Sequence, residues 1–123
     1  MLSALTFADE AVTFKDDMTE ANFRSKRLRI PGAMIVAAFL RNAKKLKKLD
    51  VSNNRIRSEG GLSLAKGLIG HSSLTELNLS NNDMGRFGSF DTPDVKAILA
   101  IADTIKTMRA ALLTINILSL IHI

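Results

Sequence analysis

The chain repeats itself every 28 residues, and that period restricts its folding more than any other feature. Leu46, Leu49, Val51, Asn54 and Ile56 fall on Leu74, Leu77, Leu79, Asn82 and Met84. Shifted backwards, Leu46, Leu49, Val51 and Ile56 fall on Met18, Ala21, Phe23 and Leu28, all apolar. Gly60, Ala65, Leu68 and Leu74 fall on Gly32, Ala37, Leu40 and Leu46. A fixed period shared by so many positions is the signature of a solenoid, in which each unit buries its apolar surface against its neighbours.

One period has a readable internal plan. Leu49 and Val51 alternate across Asp50, as in a short strand with one buried face. Ser52, Asn53 and Asn54 follow as turn formers. Leu62, Ala65, Leu68 and Ile69 then make a helical stripe that begins after Gly60-Gly61. Ala33 to Leu40 of the previous period is apolar almost all round. Each period therefore reads as strand, turn, helix and return.

The pattern Leu46-x-x-Leu49-x-Val51-x-x-Asn54-x-Ile56, followed by a glycine-led helix, resembles the leucine-rich repeat. The 28-residue period and the helical half are similar to the ribonuclease-inhibitor-like subtype. The resemblance spans 18–117 and is sharpest over 46–84. It implies an α/β fold, a horseshoe arc with parallel strands on the concave face and helices on the convex face. It also implies that Asn54 and Asn82 are structural, their amides satisfying backbone groups inside the turns. Asn53 and Asn81 beside them are expected to matter less.

Departures mark the ends. Residues 1–17 precede the first unit as a flank or degenerate cap, with Phe7, Ala11 and Phe14 spaced for one helical face. Lys26 stands in the asparagine column of the first unit, which suggests a turn built differently there. The unit starting at Leu74 is ten residues over the period, and the excess lies at 85–94. Phe87 and Phe90 on that insertion are possible partner anchors or a cover for the helix. Thr92 reads as a helix N-cap with Pro93 behind it, ahead of an apolar series at Val95, Ile98, Leu99, Ala102 and Ile105. The repeat register is lost at 118–123. One codon reading of that hexapeptide resembles a transposon end used in preparing sequencing libraries, so it reads as a non-native, translated adapter tail. On this view the chain is a fragment of a larger protein.

Charge and side-chain chemistry narrow the function. The net charge of +5 is local, because residues 24–57 hold eleven Lys or Arg against Asp50 alone. The repeat frame stacks Arg27 on Arg55 and Arg29 on Arg57 at one edge, and puts Lys44, Lys45, Lys47 and Lys48 at the other. Such a split block, without interleaved aromatics, disfavours a nucleic-acid groove. No cysteine is present, and neither paired histidines, a calcium-loop spacing nor a phosphate-binding glycine motif occurs. His71, in Gly70-His-Ser-Ser73, reads as a solvated loop histidine. No catalytic set, cofactor or metal site is expected. The candidate partner-binding surface is the outward strand face: Glu20, Asn22, Arg24, Lys48, Asp50, Ser52, Glu76, Asn78, Ser80 and Asn116, with Thr114 beside the last. The expected function is a protein–protein interaction module, intracellular and without a membrane span. The alternative is a regulatory solenoid resembling small-GTPase-activating leucine-rich-repeat proteins, working through a rim arginine such as Arg27, Arg29, Arg55 or Arg57. Nucleic-acid binding through 24–57 stands last.

Overall fold

The computed structural model describes the backbone of residues 2–7, 10–84, 86–87, 92–93, 96–107 and 114–116, and the side chains of 14–84 and 96–106. The repeat is an α/β unit. Strands β3 (Glu20–Asn22), β4 (Lys48–Asp50), β5 (Glu76–Asn78) and β8 (Thr114–Asn116) form one parallel sheet in that order. Helices α1 (Arg29–Leu40), α2 (Arg57–Leu68) and α3 (Lys96–Thr107) connect them. The pairings Ala21↔Leu49↔Leu77 keep the 28-residue offset. Leu77↔Ile115 keeps the same register across the longer unit.

Burial follows the repeat columns. Leu46, Leu49, Val51 and Ile56, and their counterparts Leu74, Leu77, Leu79 and Met84, are at most 2% exposed. Each such side chain contributes about 1.5–3 kcal/mol by leaving water. The helices pack at short range because small residues meet between them. Gly60 of α2 lies against Ala33 of α1, and Gly61 lies against Ala97 of α3. Gly67 sits on the Ala37 backbone, where a Cβ would stand 2.6 Å from the carbonyl oxygen. These glycines lie within α2 as contact points; they do not open the helix as the sequence suggests.

The turns after the strands carry the bonds between units. Ser25, Arg27 and Arg29 have φ of 54°, 55° and 57°, and Asn53, Arg55 and Arg57 repeat this with 57°, 52° and 59°. Alternate left-handed residues point successive N–H groups to one side, forming a nest. The Asn54 Oδ1 fills the first nest, accepting from the Lys26 and Leu28 N–H groups at 2.9 and 3.2 Å. Its Nδ2 donates to the carbonyls of Phe23, Val51 and Ser52 at 2.8–2.9 Å. Asn82 repeats the arrangement one unit on, accepting from the Asn54 N–H at 2.8 Å and donating to Val51, Leu79 and Ser80. Both asparagines are buried. The first turn is thus built like the second, contrary to the expectation drawn from Lys26. The asparagine that fills a nest comes from the following unit, so the first turn needs Asn54 and no asparagine of its own.

Elsewhere the structure corrects local readings. Residues Leu2–Phe7 and Glu10–Lys15 are antiparallel strands β1 and β2, not a helical face. Phe14 of β2 is buried, its ring centroid 5.2 Å from those of both Phe23 and Phe39. Thr92–Pro93 is strand β7, paired with β6 (Arg86–Phe87), so Thr92 is no helix N-cap. The buried side of α3 is Ala97, Ile101 and Thr104, with Ile98 and Ile105 partly covered. Leu99 is 60% and Ile69 61% exposed, and Ala102 is exposed too. The side chain of Phe87, residues Phe90 and Val95, and the segment 118–123 lie outside the described residues.

Two stability outcomes follow. Asn54→Ala should lower the unfolding free energy by roughly 2–4 kcal/mol, since buried N–H and C=O groups lose their partner. Asn53 needs φ 57°, so Asn53→Gly, which accepts that conformation, should stay within about 0.5 kcal/mol of wild type. Urea denaturation showing equal losses at both would rule out the bridging role. Gly67→Ala should cost about 1–3 kcal/mol through overpacking on Ala37, although alanine favours helix. A gain in melting temperature would show that the helices can separate freely.

Candidate functional site

The open face of the sheet is built by strand alternation. Ala21, Leu49 and Leu77 point into the core, so the residues on either side of each point out. Parallel register then aligns two rows. Glu20, Lys48 and Glu76 form the first, and Asn22, Asp50 and Asn78 form the second. Together with the three core-facing residues they line a shallow depression of about 320 Å³.

In the first row Lys48 Nζ lies 3.6 Å from Glu20 Oε1 and 3.8 Å from Glu76 Oε1. All three side chains are about half exposed or more, so each pair is worth roughly 0–1 kcal/mol. The row sets an alternating charge pattern more than it stabilises the fold. In the second row each residue binds the chain two positions on. Asn22 Oδ1 accepts from the Arg24 N–H at 3.1 Å. Asp50 Oδ1 accepts from the Ser52 N–H and Oγ–H at 2.9 and 2.6 Å. Asn78 Oδ1 takes the corresponding bonds from Ser80 at 3.1 and 2.7 Å. These bonds end the strands and leave Asp50 Oδ2 and the Asn22 and Asn78 Nδ2 groups unbonded among the described residues. The face therefore offers donor, acceptor, donor along one row and minus, plus, minus along the other.

Ser52 and Ser80 do not belong to this surface. They are 2% and 7% exposed, with their hydroxyls committed to Asp50 and Asn78. Strand alternation predicts them outward, but the chain has already left the strand at the Asx turn. Arg24 is exposed at the end of β3. Backbone pairing places Thr114 beside Glu76 and Asn116 beside Asn78, while their side chains lie outside the described residues. The basic block divides between edges. Arg27, Arg29 and Arg55 line a depression on the strand-to-helix side. Arg41 and Lys44 line another on the return side, with Leu40, Ile69, Gly70, His71 and Ser72.

His71 is the site residue most misread from sequence. It is 7% exposed, and its Nε2–H donates to the Ala43 carbonyl at 3.0 Å, one unit away. Ser73 Oγ–H donates to the Leu46 carbonyl at 2.6 Å and Thr75 Oγ1–H to the Lys47 carbonyl at 3.2 Å. These three side chains stitch the return turns together. Their counterparts one period back are Ala43, Lys45 and Lys47, so repetition gave no signal for them. Burial, opposed by the Ala43 bond, holds the His71 pKa below its ordinary 6.5. Nδ1 is buried without a partner. Among the described residues no group of three or more His, Asp or Glu is placed to hold a metal ion, and no helix is long and apolar enough to cross a membrane.

A lowered folded-state pKa means that the unfolded chain binds the proton more readily. The stability due to neutral His71 should be complete above pH 6.5 and should decline as pH falls through the lower folded-state value. Denaturation midpoints measured over this range should fall less steeply for His71→Gln than for wild type. Parallel curves would mean that His71 is protonated without cost.

Comparison with known families agrees with this geometry. The leucine rich repeat family model matches residues 42–65 and 70–86. These segments contain β4, the turn with Asn54, most of α2, β5 and the turn with Asn82. No curated protein and no solved structure matches the chain. The matched segments are similar to leucine rich repeats, and their parallel strands with helices between them fit an α/β repeat fold.

Proposed function

We propose that the chain is a protein-binding module of the ribonuclease-inhibitor-like subtype, intracellular, with its sheet as the concave face of an arc and its helices on the convex side. The observation that carries this reading is the open sheet face itself. Two aligned rows of polar side chains sit on a floor of buried Ala21, Leu49 and Leu77, with hydrogen-bonding groups left over. Repeats commonly present such a surface to a partner, and rigid strands place its groups at fixed spacing. Three carboxylates, Glu20, Asp50 and Glu76, surround one ammonium, Lys48. The partner surface suited to them is rich in donors and positive charge. The chemistry is recognition rather than catalysis. The hairpin β1–β2, through Phe14, serves as the cap of the first unit.

The test is a differential one. Lys48→Glu combined with Asn22→Ala changes both rows without touching a buried group. Affinity capture with quantitative mass spectrometry should find a protein retained by wild type and lost with this variant, while the melting temperature stays unchanged. A partner retained equally by both would exclude the sheet face as its site.

A further inference from the structure

We propose that the strand-to-helix rim is a second binding surface, which takes a short acidic peptide segment through Arg27, Arg29 and Arg55. These three guanidinium side chains line one depression of about 290 Å³ with Asn53 and Asn54, and no carboxylate is among the lining residues. None of the three arginines makes an ion pair with any described residue, so their forks are available to a ligand. Their placement is set by the backbone. Arg27 and Arg55 hold the same left-handed position, φ 55° and 52°, in consecutive turns. Paired strands put such positions about 4.8 Å apart. Forked guanidinium groups at fixed spacing match carboxylates two at a time.

The surroundings select among anions. A phosphate oxygen would be wrapped by the nest N–H groups of Lys26 and Leu28, but Asn54 Oδ1 already occupies them. A nucleic acid needs a longer positive track and faces on which bases can stack. Here no aromatic residue lines the depression. The column of Arg27 and Arg55 continues to Asp83, which has the same backbone conformation. The positive surface is therefore two units wide and closed by a like-charged residue for any anion running farther. A few carboxylates on an extended segment fit those limits. This surface shares no lining residue with the sheet face, so the inference stands or falls separately from the proposed function.

The test is fluorescence anisotropy with a labelled short peptide of alternating aspartate and serine, at fixed low salt, on the full chain. Arg27→Asn with Arg55→Asn removes two charges with a residue that accepts positive φ, and should weaken binding roughly tenfold. Arg27→Lys with Arg55→Lys, which keeps the charge, should fall between the two. Lys44→Asn with Lys45→Asn, on the return edge, should leave affinity unchanged. Equal weakening by the arginine and lysine-edge pairs, or no binding at all, would overturn the proposal. So would a serine phosphopeptide or single-stranded RNA of equal charge that binds more tightly and loses that binding in the arginine pair.

Discussion

The fold depends on one interaction, the capture of a turn's backbone by a buried side-chain amide from the next unit. An irregular turn leaves N–H and C=O groups that neither helix nor sheet can satisfy, and burying them unpaired is costly. The alternating left-handed residues gather the N–H groups of Lys26 and Leu28 on one side, and Asn54 Oδ1 accepts both. The same amide then donates to carbonyls of its own turn and of the one before. Leucine columns alone would let units slide, because greasy contacts are not directional. The asparagine fixes the register that the leucines merely favour. Sheet ladder, turn ladder and core column therefore share one 28-residue offset.

That shared offset explains what was legible from sequence. The strand pairing and the buried columns could be read because the period of the amino acids is also the period of the hydrogen bonds. The helix faces were less legible. In α2 and α3 apolar residues occur on both sides, so Ile69 and Leu99 extend an apparent stripe although the small residues Gly60, Gly61 and Ala97 mark the true contacts. Close approach rewards the absence of a side chain, which hydrophobic periodicity cannot register. Phe7, Ala11 and Phe14 have helical spacing, but β-branched Thr6, Val12 and Thr13 favour strands, and pairing of the two segments decides the outcome. His71 sits in a polar, turn-like stretch that suggests solvent. A return turn in a stack is nevertheless covered by its neighbour, and there the imidazole becomes a buried donor.

Of the candidate site, the two outward rows were legible because strand alternation and register suffice to place them. The loss of Ser52 and Ser80 from that surface was not, since it depends on where each strand ends. The same Asx bonds do two things. They turn the chain inward, and they use one oxygen of Asp50 and of Asn78 while leaving the other polar atom outward. The face and the rim also differ in sign. Carboxylates outnumber the single ammonium on the sheet, whereas the turn side is lined by arginines. A basic total charge conceals this division, which only the three-dimensional placement of each residue reveals.

The constant offset also shapes how the chain reaches its native state. The described inter-unit bonds of the turns and returns join residues some 25–31 positions apart, as in Arg29 to Asn54 and Phe23 to Asn54. Loop-closure entropy depends on that separation and only weakly on total length. Adding a unit to a formed neighbour thus carries nearly the same entropic penalty each time, and no step must wait for the two ends of the chain to meet. Order can spread from the best-formed pair of units, around Asn54 and Asn82, outward in both directions. The largest loop-closure penalty, by a small margin, falls on the longer unit, where 38 positions separate the paired Leu77 and Ile115.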